Sequence, residues 1–180
     1  MFELRREGDQ RVIAVRTDGS ESPSIRLEKD VSSIIFLHAA ETPANNIPAY
    51  ERTWNYADTA DLLGWYEVTY EDGFTQDVPL RYGVNILEAG WGKNHTARNL
   101  AYEADLIDCG KPNRGRLTFF AYEWINSRLG IRVREIRLKA SSHFKNVVGR
   151  PSPQNTVLLA GISVVNARTP PEPKPLRVAE

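Results

Sequence analysis

Cysteine is nearly absent from this chain of 180 residues: Cys109 stands alone. A single thiol excludes an internal disulfide and any structural zinc site built on several thiolates. Histidine is scarce too, and His38, His95 and His143 lie too far apart in sequence for a recognisable metal motif. Net charge is also missing, because 23 Lys and Arg balance 23 Asp and Glu. A general nucleic-acid binder carries a basic excess, so no nucleic-acid partner is expected. No apolar run approaches the roughly 20 residues of a membrane helix, so no membrane partner is expected either. The N-terminal Met-Phe-Glu-Leu-Arg-Arg-Glu lacks the apolar core of a signal peptide. The expectation is a cytosolic protein, or a piece of a longer one, extracytoplasmic if its parent is secreted. What is present is 41% apolar and 26% charged residues, enough to bury the core of one globular domain.

The neutral total hides an asymmetry. Residues 1–90 carry 8 basic and 16 acidic side chains, and residues 91–180 carry 15 and 7. A single domain whose later strands pair with its earlier ones brings these opposite charges together. The segment 168–180 opens Arg-Thr-Pro-Pro-Glu-Pro-Lys-Pro. Prolines at this density favour an extended, polyproline-like tail or linker. The domain is therefore assigned to residues 1–167.

The dominant period is two. Short strands are predicted at Arg11–Val15 and Ser24–Leu27. Val31–Ala39 is almost continuously apolar, as in a central strand covered on both faces. Gly64–Tyr70 alternates, with Tyr66, Val68 and Tyr70 on one face and Trp65, Glu67 and Thr69 on the other. It runs through Glu71-Asp72-Gly73 into Phe74–Arg81, and Asp-Gly between strand-like runs signals a hairpin. Tyr102–Asp108, Arg116–Trp124 and Thr156–Val165 follow as strands. Ile131–Ala140 is apolar at Ile131, Val133, Ile136 and Leu138. The three-residue step from Val133 to Ile136 predicts a β-bulge at Arg134 or Glu135. Ala57–Leu63 has the pattern of one or two helical turns. About eight to ten strands with few helix signals predict an all-β fold, an antiparallel, jelly-roll-like β-sandwich. Three long connections, Glu41–Leu63, Gly83–Leu100 and Ser141–Asn155, are longer than ordinary loops, which marks them as candidate functional segments.

Three blocks follow in order: Ser33-Ile-Ile-Phe-Leu-His-Ala-Ala40, Gly64-Trp-Tyr-Glu-Val-Thr-Tyr-Glu-Asp-Gly73 and Val78-Pro-Leu-Arg-Tyr-Gly-Val-Asn-Ile86. In these blocks the chain resembles the galactose-binding-domain-like β-sandwich modules attached to bacterial glycoside hydrolases. The resemblance covers roughly residues 2–167 and is carried by scaffold features. It implies a non-catalytic carbohydrate-binding or accessory role beside a glycoside hydrolase, with carbohydrate and a catalytic domain or subunit as partners and no cofactor. Two other classes stand beside it. One is a structural or protein-interaction module that packs on a catalytic domain or mediates oligomerisation. The other is a glycosidase using paired carboxylates.

Sugar sites present an aromatic ring to the C–H face of a pyranose, with polar side chains on its hydroxyls. Gly90-Trp91-Gly92-Lys93-Asn94-His95 offers such a ring between glycines. Trp54, beside Asn55 and Tyr56, is the second cluster. Trp91, Lys93, Asn94, His95 and Trp54 are thus the candidate ligand-binding residues, against the alternative that loop tryptophans plug an end of the sandwich. No catalytic set is assigned. Glu67, Glu103, Asp105 and Glu123 are the carboxylates a glycosidase would draw on, and no spacing pairs them. His38 reads as a hydrogen-bonded core histidine, Asp72 as a turn residue and Cys109 as a small residue at a strand end. Glu51, Asp58 and Asp61 are candidate ligands for a structural calcium ion, without a recognisable spacing. Arg128–Arg150 is strongly basic and reads as a solvated face opposite acidic strands such as Glu67–Asp77. Asn94-His95-Thr96 matches a glycosylation acceptor.

Overall fold

A computed structural model describes residues 12–42, 62–90, 103–109, 117–141 and 155–167. The described residues form nine strands: β1 (Ile13–Arg16), β2 (Ile25–Lys29), β3 (Val31–Ala40), β4 (Leu62–Tyr70), β5 (Thr75–Arg81), β6 (Ala104–Asp108), β7 (Thr118–Ile125), β8 (Val133–Ala140) and β9 (Thr156–Asn166). They pair antiparallel into a five-stranded sheet, β1-β9-β3-β7-β6, and a four-stranded sheet, β2-β8-β4-β5. Without the edge strand β6, the strands run first, eighth, third, sixth in one sheet and second, seventh, fourth, fifth in the other. That order is a jelly roll. The continuous apolar run of β3 suits the middle of the larger sheet, where strands flank it on both edges and most of its residues are buried.

The core lies between the sheets. Phe36 of β3 stacks on Tyr66 of β4 at 3.8 Å between ring centroids. Ile34, Val68, Leu80, Trp124, Val133, Ile136 and Leu138 fill the layer around them. Opposite charges meet across strands, as the asymmetry of the two halves predicts. Asp72 pairs with Arg128, Glu71 with Arg132, and Glu21 and Glu67 with Lys139. The basic stretch therefore faces the acidic strands, as far as Lys139 and within the described residues.

The predicted bulge is present. Thr69 pairs with Glu135 and Tyr70 with Val133, which leaves Arg134 as the extra residue of β8. Val133 and Ile136 are both fully buried in consequence. The edge strand β2 adds one residue more. Between Arg26 and Lys29 it spends Leu27 and Glu28 against Arg134 alone, with Glu28 at φ 52°. Each step outward from β4 thus lengthens the path by one residue and bends that corner of the sheet.

The hairpin stands where the sequence puts it, with a different tip. The amide of Gly73 donates to the carbonyl of Tyr70 and the amide of Tyr70 to that of Phe74. This is a three-residue loop, with a turn over Glu71-Asp72 closed by Gly73 at φ 85°, rather than a two-residue Asp-Gly turn. No atom lies within 4 Å of a Cβ built at Gly73, so only backbone conformation disfavours a side chain there. Gly73→Val is expected to destabilise the fold by about 1 kcal/mol or more in denaturant unfolding. An unchanged midpoint would contradict this loop. Arg128 locks the hairpin: its guanidinium lies 4.7 Å from the Tyr70 ring centroid and 4.4 Å from that of Phe74, and it bonds both oxygens of Asp72.

Short and long connections segregate. The β2–β3, β4–β5 and β7–β8 turns lie at one end of the sandwich. The described ends of the three long connections lie at the other. There Ala40 pairs with Val157, Gly64 pairs with Ala140, and Ala89 bonds Ala40 and Thr118. The helical turns predicted over Ala57–Leu63 meet a strand at their end, since Leu62 and Leu63 already belong to β4. Residues 57–61 and the tail 168–180 lie outside the described residues.

Candidate functional site

Three sequence blocks, Ser33–Ala40, Gly64–Gly73 and Val78–Ile86, converge on one buried network. His38 comes from the first, Tyr66 from the second and Asn85 from the third. Asn85 sits in the turn after β5, where its side chain accepts from the Arg81 amide at 3.0 Å and donates to the Pro79 carbonyl at 3.0 Å. That staple aims its own carbonyl at His38 Nε2, 2.8 Å away. A carbonyl only accepts, so Nε2 carries the proton and Nδ1 accepts from the Tyr66 hydroxyl at 2.9 Å. Burial is complete for His38 and pulls its pKa down to about 4, against the weaker opposing pull of the Asn85 carbonyl. Burial likewise raises Tyr66 well above the ordinary phenol value. The imidazole is therefore neutral at physiological pH and bonded on both nitrogens, as the core reading of His38 expects.

The outer faces of the two sheets are chemically opposite. On the five-stranded sheet, strand register places Ile125, Ser33 and Val165 in one row, Glu123, Ile35 and Ser163 in the next, and Ala121, Leu37 and Gly161 in the third. Only Glu123 among these nine is charged, and its carboxylate accepts from the Ser33 hydroxyl at 2.5 Å. Leu37, Ala39 and Phe119 form a second small apolar cluster on this face.

The four-stranded sheet presents charge. Its rows are Thr75, Thr69, Glu135 and Arg26, then Asp77, Glu67 and Arg137, then Pro79, Trp65, Lys139 and Glu21. Lys139 Nζ donates to Glu67 Oε2 at 2.8 Å and lies 3.8 Å from Glu21. The Glu67 bond, chiefly, raises the pKa of Lys139. The Arg137 guanidinium lies between Glu21 at 3.8 Å and Glu135 at 3.7 Å. Glu135 is held below the usual carboxylate range by the Ser24 hydroxyl first and by neighbouring arginines second. In the last of these rows Trp65, half-buried, is the one aromatic side chain on this face among the described residues. It is flanked by Pro79 on one side and the Lys139 stem on the other.

The loop residues Trp54, Trp91, Lys93, Asn94 and His95 lie outside the described residues, as do His143 and the calcium candidates Glu51, Asp58 and Asp61. Among the described residues no group of three or more His, Cys, Asp or Glu side chains is placed to hold a metal ion. Of the four carboxylates, Glu67 and Glu123 fall on opposite faces of the sandwich, with both sheets between them. Asp105 pairs with Ala121 and so neighbours Glu123 diagonally, on an open and exposed surface. A glycosidase pair needs one carboxyl held protonated in an enclosed apolar setting, which this surface does not supply. Cys109 is exposed and follows β6.

Trp65 is a candidate site residue that sequence reasoning misses, although alternation places it beside Glu67 on one face. A tryptophan at a solvent-facing strand position, among charges, is the signal that marks it. No protein-family model, curated protein or solved structure matches the chain.

Proposed function

We propose that this chain is a non-catalytic carbohydrate-binding β-sandwich module whose described binding surface is the outer face of the four-stranded sheet. One observation carries the reading: a half-buried indole, Trp65, beside a salt-bridged Lys139–Glu67 pair whose side chains keep about a quarter of their surface in solvent. A pyranose stacks its C–H face on such a ring, and the flanking ammonium and carboxylate serve its hydroxyls as donor and acceptor. The pair is already ordered by its own bond, so less freedom is lost on binding than with free side chains. Stacking plus a few hydrogen bonds corresponds to a Kd of about 10 μM to 1 mM. The wider role, an accessory module within or beside a bacterial glycoside hydrolase, rests on the resemblance of the three sequence blocks.

Calorimetric titration with a panel of neutral oligosaccharides tests this reading, using the parent chain, Trp65→Ala and Trp91→Ala. Binding lost with Trp65→Ala and kept with Trp91→Ala is the expected result. The reverse moves the site to the loop set of Trp91, Lys93, Asn94, His95 and Trp54. No heat with any sugar above millimolar concentration removes the function.

The opposite sheet favours a second role, docking on a catalytic domain or on another copy. Ile125 and Val165 flank Ser33 on its outer face and are 66% and 45% exposed. Concentration-dependent sedimentation that Ile125→Lys abolishes is expected if copies pair there. A monomer at every concentration sets pairing aside.

A further inference from the structure

We infer that the Trp65 face selects sugars carrying an ammonium group, the 2-amino sugars, over neutral sugars, and rejects uronates; this deepens the carbohydrate reading above and rests on it. The register of β4 and β5 places Asp77 directly opposite Glu67, one row from Trp65. Two carboxylates facing each other across strands repel, and the pair persists only where a cation offsets it. For Glu67 that cation is Lys139, at 2.8 Å. Lys139 is shared with Glu21 at 3.8 Å, so its one positive charge answers two carboxylates before Asp77 is counted. Arg137, in Asp77's own row, is drawn toward Glu21 and Glu135. Arg81, at the end of β5 beyond Pro79, is the next cation on this side of the sheet. Among the described residues Asp77 has no ion pair, and its side chain stands exposed at the edge strand.

Glu67 and Asp77 thus lie in the row next to the indole, and Glu21 stands beyond Lys139 in the indole's own row. An aromatic ring attracts a cation through its negative face, and an exposed carboxylate beside it adds Coulomb attraction. A sugar stacked on Trp65 with its substituents over the Asp77 row places a 2-ammonium group where both act. An N-acetyl or hydroxyl group at that position gains neither. A uronate brings a negative charge beside Asp77, an exposed carboxylate with no ion pair among the described residues.

The test compares tetramers of glucosamine, N-acetylglucosamine and galacturonate, followed by tryptophan fluorescence. It is run at mildly acidic pH, where the amino sugar carries its ammonium charge. The glucosamine tetramer is expected to bind about fivefold tighter than its N-acetylated form at low salt, the upper end for an exposed ion pair. The advantage should vanish in about 1 M salt, where screening acts over a few ångströms. Asp77→Asn should remove the preference and leave binding of the N-acetylated tetramer unchanged. Galacturonate binding as tightly as glucosamine, or a preference that survives Asp77→Asn, overturns the inference while leaving the carbohydrate reading in place. If no tetramer binds and Trp65→Ala changes nothing, both fall together.

Discussion

Gly64→Ala is expected to cost about 3 kcal/mol of stability, and more than the same change at Gly73, Gly90 or Gly130. A Cβ at this position meets the carbonyl oxygen of Lys139 at 2.3 Å and the Cα of Ala140 at 3.0 Å. Both are backbone atoms of β8, which cannot swing aside as a side chain can. Neither strand lies at a sheet edge, since β4 has β5 beyond it and β8 has β2. Relief therefore requires the strands to part and to lose ladder bonds near the Gly64–Ala140 pair. Gly90→Ala is the control, because its Cβ would meet nothing within 4 Å and no unusual φ constrains it. In thermal unfolding Gly64→Ala should lower Tm by about 10 °C, and Gly90→Ala by about 1 °C or less. Equal effects would mean that β4 and β8 stand farther apart at this pair.

Acid is expected to weaken the fold through His38. Its folded pKa is about 4 against an ordinary value of 6.5, because burial disfavours the imidazolium. Between these values the unfolded chain binds the proton and the folded one does not. Stability from this group is complete above about pH 6.5, declines as pH falls, and is lost by about pH 4. The total is about 3 kcal/mol, since each tenfold difference in proton affinity between the two states is worth about 1.4 kcal/mol. Asp18, Asp72 and Glu135 also sit below their ordinary carboxylate values, so protonating them weakens the fold further in acid. Asp18 and Asp72 are exposed and Glu135 is half-buried. His38→Gln keeps polar atoms near Tyr66 and Asn85 but does not titrate. Denaturant unfolding from pH 7 to pH 4 should show a steeper loss of stability in the parent than in this variant, which keeps only the contribution of the carboxylates. Parallel slopes would mean that His38 is open to solvent.

The parts of this structure that follow from local period are legible in the sequence. The step from Val133 to Ile136 announces the Arg134 bulge, since two buried residues on one face must be separated by an even number unless one is extra. The apolar run of Val31–Ala39 announces the central strand, and the opposed charges of the two halves announce a basic strand facing acidic ones, though not the pairing of Lys139 with Glu67. The hairpin is legible in place but not in kind: Asp-Gly serves a two-residue turn and a three-residue loop equally, and the lock of Arg128 on Tyr70 and Phe74 spans more than 50 residues. The His38–Tyr66–Asn85 network is illegible for the same reason. Nothing in a sequence tells which carbonyl a buried histidine will find 47 residues away. Trp65 escapes notice because flanking glycines make Trp91 the more conspicuous ring. Alternation alone puts Trp65 on the charged face, and only the pairing of β4 with β8 brings Lys139 to it.

A sugar that stacks on Trp65, on the charged outer face, must change the surroundings of that indole before any other. The four tryptophans, Trp54, Trp65, Trp91 and Trp124, give four indole N–H resonances, assignable by single substitution. Titrating an isotope-labelled chain with one binding oligosaccharide reads all four at once. The Trp65 resonance is expected to move progressively and saturably, while that of Trp124, buried between the sheets, stays in place. A shift confined to Trp91 or Trp54, with Trp65 unmoved, would place the sugar elsewhere and overturn the assignment of this face.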